Sequence, residues 1–182
     1  MVERADEPRE PDEYEAVAAQ SEVASNGFKR AVEDMRAMAK DREDKGFQTL
    51  TIPAGDVATK NPADGDDEWG LSFVIPGDRA EDFEFFYAEG EYDETGVYQS
   101  ATTAHVFVVT EYVDFDAGLV VFLAGSYEKR FAAPMVRTAM DRGRMYTHVK
   151  KLDTTHLGTF EHDDPHEFFP DPESFYSYEQ GP

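Results

Sequence analysis

Seven of the seventeen basic residues fall within 23 positions: Lys129, Arg130, Arg137, Arg142, Arg144, Lys150 and Lys151, with Asp141 the only acid among them. Elsewhere ten bases stand against thirty-eight acids. Arginine forks grip phosphate or carboxylate at two points, and an adjacent tyrosine can stack on a nucleobase. On a strand from Met145, residues Tyr146, His148 and Lys150 share one face. Lys129, Arg130, Arg137, Arg142, Arg144, Tyr146, His148, Lys150 and Lys151 therefore form a candidate surface for an anionic partner: an acidic protein face, a nucleotide or a nucleic acid. The competing reading is that these bases pair with acids of the same domain and serve packing.

The other reactive types are histidines. His162 and His166 sit among Glu161, Asp163, Asp164 and Glu167, side chains that ligate Zn, Mn or Fe. Their i, i+4 spacing would align them on a helix, but Pro165 between them opposes one. No HExxH or other metalloenzyme signature occurs. The sequence thus assigns no metal, no cofactor and no catalytic residue, and leaves His162 and His166 as the metal candidates. An enzymatic alternative, a small hydrolase or nucleotide-handling enzyme, would use His148 or the His162/His166 pair as base or ligand. A dyad of His148 with His156 across a hairpin stays open. Ser100 and Ser126 lack a GxSxG elbow, and Asp64-Gly65-Asp66-Asp67-Glu68 lacks the EF-hand register.

These residues must be positioned by a modest set of elements. Tyr14, Val17, Ser21, Ala24, Phe28, Ala31, Met35 and Met38 alternate spacings of 3 and 4, which predicts a helix over 11–45. The Asn26-Gly27 pair is where it could divide. The stripe serves either as a face lying on its own domain or as a homodimer seam, the route to a structural, self-associating protein. Strands are expected at 48–52, 70–75, 95–100, 105–113, 118–125, 145–152 and 156–160. Residues 53–68 read as a loop. Asp78 and Glu81 form a capping box for a helix over 78–90, and Phe131–Asp141 is a third helix with Pro134 in its first turn. The nearly continuous apolar runs at 105–113 and 118–125 predict central strands covered on both faces. This is an α+β chain with a mostly antiparallel sheet of five to seven strands. Residues 1–10 are a disordered acidic arm, 11–161 a single domain, and 162–182 an acidic, Pro- and aromatic-rich tail packed back in part through Phe168 and Phe169.

Over 182 residues the net charge is −22, and 40% of the chain is hydrophobic. That charge excludes a basic coat for nucleic acid and a protein that clings to anionic lipid. There are two Ile and six Leu beside fifteen Val and fourteen Phe, and no Cys. No apolar run reaches the roughly 20 residues that span a bilayer. The runs AHVFVVTEYVDFDAGLVVFLAGSYEKR and MYTHVKKLDTTHLGTFEHDDPHEFFP resemble uncharacterised haloarchaeal proteins grouped as a family of unknown function. The resemblance implies a cytoplasm at molar salt, where screening shortens to about 3 Å and spread-out acids cease to repel. It implies no activity and no site residue. The expected function is a cytoplasmic binding or regulatory module.

Overall fold

The computed structural model describes residues 11–64 and 68–178. The arm 1–10, positions 65–67 of the acidic run and the last four residues lie outside the described residues, as do the side chains of Tyr14, Val17 and Ser21. Helix α1 spans Pro11–Asp44, followed by strands β1 (Gln48–Lys60) and β2 (Gly70–Ile75). Helix α2 (Ala80–Glu89) leads to β3 (Glu94–Ala101), β4 (His105–Asp114) and β5 (Leu119–Glu128). Helix α3 (Lys129–Arg142), β6 (Met145–Lys151), β7 (His156–His162) and the short α4 (Glu173–Tyr176) complete the chain. The architecture is α+β.

The seven strands form one sheet in the order β3-β4-β5-β1-β2-β6-β7. It is mixed, and the expectation of a mostly antiparallel sheet is corrected to that extent: β1 runs parallel to β5 and β2 parallel to β6. Strand β1 joins the two halves. Gln48 to Asp56 pair with β5, Val57 to Lys60 pair with β2, and the register slips between Pro53 and Gly55. Pro53 and Gly55, read from sequence as loop residues, instead form a bulge. Proline lacks the ladder N–H, and Gly55 takes φ +78°, which an L side chain resists.

The sheet curls strongly. Tyr112 on β4 stacks on Phe160 of β7, with ring centroids 3.8 Å apart. The concave side encloses the larger core, including Ile52, Leu71, Phe73, Phe83, Tyr112, Leu123, Met135 and Phe168. Helices α2 and α3 and the C-terminal segment fill it, with Phe168, Phe169 and Phe175 buried. The convex side of β4 and β5 is covered by α1 through Ala31, Val32, Met35 and Ala39. β5 is therefore buried on both faces, as its unbroken apolar run requires. Helix α1 passes unbroken through Asn26-Gly27. Gly27 is there because a Cβ would overlap the Phe107 ring.

The capping box does not form. A 3-10 turn over Gly77–Arg79 precedes α2, whose N-cap is Arg79 without a side-chain bond, so Asp78 lies too early to cap. Helix α3 begins at Lys129, which moves Pro134 from the first turn into the helix interior. The expected tail begins inside β7, which runs to His162.

Candidate functional site

Helix α3 is an amphipathic helix whose apolar stripe, Ala132, Met135, Val136 and Ala139, enters the concave core. Gly143 ends it with φ +66°, its N–H bonding Ala139 O, and the chain turns directly into β6. The basic set falls into two groups.

The first group lies along α3. Lys129 Nζ sits 5.8 Å from the Phe175 ring centre. Arg130 Nε donates to Glu128 Oε2 at 2.7 Å, with its guanidinium 4.5 Å over Phe131. Arg137 lies 4.1 Å over Tyr176. These bases are engaged with the rings and carboxylate around them. Two β6 lysines are also removed from a shared surface: Lys150 is 8% exposed, and Lys151 approaches Asp153 at 4.0 Å.

The second group converges on the outer face of β2 and β6. Arg142 lies 5.3 Å over Trp69. Trp69 meets Tyr146 edge-on at 5.5 Å, Tyr146 lies nearly parallel to His148 at 6.1 Å, and His148 meets His156 at 5.8 Å. A continuous ladder of side chains, Arg142, Trp69, Tyr146, His148, His156, results, in which Trp69 and His148 are buried, Tyr146 is half-buried, and Arg142 and His156 are exposed. Arg144, two residues before Tyr146 in the chain, is exposed. Trp69 is set by Gly70, whose φ of +114° lets β2 start where a Cβ would strike Tyr146 O. An arginine held by its flat face on a ring keeps its N–H edges for a partner.

His148 is buried and doubly bonded: Nε2 to Trp69 O at 2.9 Å and Nδ1 to Thr159 Oγ1 at 2.9 Å. A carbonyl only accepts, so Nε2 carries the proton and Nδ1 of the neutral ring accepts from Thr159. The Thr159 hydroxyl proton is thereby committed, and His156 Nε2, 2.7 Å away, donates to that oxygen. Burial holds the His148 pKa below its ordinary value, with the Trp69 carbonyl and Glu68 opposing. The two histidines do meet, but on a threonine hydroxyl instead of a carboxylate.

His162 and His166 do not converge. His162 is the last residue of β7, buried and bonded through Nε2 to Thr147 Oγ1 at 2.8 Å. Thr147 in turn bonds Tyr112 Oη at 2.8 Å. Burial, and then the neighbouring His148, lower the His162 pKa to about 4. His166 stands outside in a 3-10 turn led by Pro165. Among the described residues no three His, Asp or Glu side chains gather as a metal site would need.

Sequence reasoning missed Trp69, the hub of the ladder. Its only signal was being the single tryptophan, next to a glycine that opens a strand. The pairing of His105 with Glu128 across β4 and β5 was missed as well. His105 Nε2 lies 3.6 Å from Glu128 Oε1, in a cleft of about 320 Å³ that Asp56 and Ser126 also line.

No helix is long and apolar enough to cross a membrane among the described residues. Residues 14–170 match the model of a family of unknown function, DUF7529. No curated protein and no solved structure matches the chain.

Proposed function

We propose that this chain, which belongs to the DUF7529 family, is a binding module that takes a phosphate-bearing, ring-bearing partner on the outer face of β6. A free nucleotide and a single-stranded nucleic-acid segment share that chemistry. The observation that carries the reading is the ladder from Arg142 through Trp69 and Tyr146 to His156. It sets cation and ring side by side, with Arg144 exposed two residues before Tyr146. Phosphate would take the arginine edges, and a base would lie against Tyr146. Arg142 and the exposed Arg144 give an anion a cationic place to dock on a chain of net charge −22. The composition supports a high-salt cytoplasm as the setting. There, charge count counts for little and the geometry of the forks carries recognition.

The test is an NMR titration of the full chain with adenosine triphosphate and, separately, with a short single-stranded RNA. Shifts concentrated at the Trp69 indole and the amides of 142–150 support the reading, and the stronger of the two ligands identifies the source of the phosphate. Shifts absent with both, or confined to other surfaces, overturn it.

A further inference from the structure

A curled sheet that does not close has two edges, and this one treats them differently. At β7 the edge is blocked. Tyr87 Oη donates to Thr159 O at 3.1 Å and accepts from Thr159 N–H at 3.3 Å, so one hydroxyl occupies both backbone groups of the edge residue. The β6–β7 register also slips between Val149 and Lys150, and Glu161 stands exposed on the strand. These are ways by which proteins prevent strand addition.

Strand β3 has neither a blocking hydroxyl nor a register slip; its one exposed acid, Glu94, stands at its first residue, and its Gln99 amide reaches Glu167 O at 3.4 Å. Its eight residues pair with β4 in an unbroken register, Glu94 with Val113 through Ala101 with Val106. No backbone hydrogen bond from 94–101 to any other element is made among the described residues. It contains no Pro, Lys or Arg, and Glu94 at its start is its only charge. The neutrality extends further: no Asp, Glu, Lys or Arg occurs from Thr95 to Thr110, in a chain that is 31% charged. Tyr98 is 47% exposed. Beside it a groove of about 120 Å³ opens between α1 and the strand, walled by Ala31, Met38, Phe107 and Val109 with Asp34 also lining it.

We infer that β3 is a docking edge for a second copy of this chain, paired antiparallel about a two-fold axis so that the two sheets become continuous. Charge selects the occupant. Two copies that each carry −22 meet acids against acids over most of their surface, whereas β3 against β3 brings no like charges opposite one another. A cationic peptide is drawn instead to the acidic remainder. With the two-fold axis between Val97 and Tyr98, Val97 faces the partner copy's Tyr98 and Thr95 its Ser100, aromatic and β-branched cross-strand pairs of the kind that stabilise a ladder, and the partly apolar groove offers the partner's side chains a seat. The inference is independent of the β6 face.

Sedimentation equilibrium of the full chain in dilute buffer and in molar KCl tests it. A dimer is expected, tighter in molar KCl because salt screens the long-range repulsion between copies. The double variant Tyr98→Lys, Ser100→Lys, both at exposed positions, is expected to be monomeric where the wild type is dimeric, with unchanged circular dichroism. On the wild type, hydrogen exchange of amides in 95–100 should slow as concentration rises, while those of β7 stay constant. A wild-type monomer in both salts overturns the inference. So does a dimer whose formation leaves the 95–100 amides unchanged, since that dimer uses another surface such as α1.

Discussion

Tyr112 and Phe160 lie on strands five places apart in the sheet order, yet their rings stack at 3.8 Å and 13°. The contact closes the curl of the sheet. Around Phe160 the rings of Phe83, Tyr87 and Tyr92 meet it edge-on, so four rings from three segments converge on one side chain. Phe160→Ala should therefore lower stability by about 3–5 kcal/mol, in the range for a large aromatic removed from a packed core. Urea denaturation followed by tyrosine and Trp69 fluorescence measures it. A loss below about 1 kcal/mol would mean that the curl does not depend on this stack.

The hydroxyl chain behind that stack predicts a pH dependence. In the folded protein His162 has a pKa near 4, below its ordinary value of 6.5. Folding therefore favours the neutral ring, and the unfolded chain binds a proton that the folded one refuses. Stability from this residue is fully present above pH 6.5, falls as pH drops toward 4, and changes no further below that. The full span is on the order of 3 kcal/mol. His148 moves in the same direction. His162→Gln, which cannot titrate, should flatten the unfolding free energy between pH 6.5 and 4 relative to wild type. An unchanged slope would show that His162 is not the residue refusing the proton.

Besides its apolar face and the Thr49 hydroxyl that donates to Glu43 at 2.6 Å, helix α1 is fastened to the sheet by a two-point ion pair. Arg42 donates from Nε to Glu111 Oε2 at 3.2 Å and from Nη2 to Oε1 at 2.9 Å, and the Glu111 side chain is 5% exposed. Arg42→Met retains the contact with Phe47 and Phe115 but leaves that carboxylate unpartnered. A loss of about 1.5–3 kcal/mol is expected, together with faster proteolytic cleavage within α1. Thermal melts and limited proteolysis report the two effects.

At Gly27, helix propensity and packing oppose each other. Alanine in a helix interior is worth about 1 kcal/mol over glycine, but here its Cβ would overlap the Phe107 ring, and overpacking of a tight contact costs about 1–3 kcal/mol. Gly27→Ala should therefore destabilise the protein by thermal or chemical unfolding. A stabilised variant would show that α1 stands farther from β4.

Much of this fold was legible from local pattern. The 3,4 spacing of α1 and the apolar runs of β4 and β5 survive because each element buries one contiguous set of side chains. Several misreadings share a cause: each needed a distant residue. Pro53 and Gly55 look like loop formers until β5 is seen to pair through them as a bulge. Gly27 looks like a helix breaker until Phe107 is seen above it. The alternation Tyr146, His148, Lys150 did place one face of β6. Trp69 joins that face only through the parallel pairing of β2 with β6, which no local pattern encodes. The seven bases looked like one patch because they are neighbours in sequence. Their directions on the fold divide them: Lys129, Arg130 and Arg137 meet the rings and carboxylate beside α3, whereas Arg142, at the end of the same helix, lies on Trp69.

The proposed binding face has its own reporter. Trp69 is the single tryptophan and sits between Arg142 and Tyr146, so its fluorescence responds to whatever occupies that face. The most direct measurement is a titration of wild type, Arg144→Glu and Arg142→Glu with adenosine triphosphate and with short single-stranded RNA, excited selectively at tryptophan. A saturable change in the wild type is expected, weakened about tenfold or more in each variant, because losing a charged hydrogen bond of about 1.5–3 kcal/mol corresponds to at least that factor. A wild-type response that does not saturate with either ligand, or one that both variants retain in full, would contradict the account.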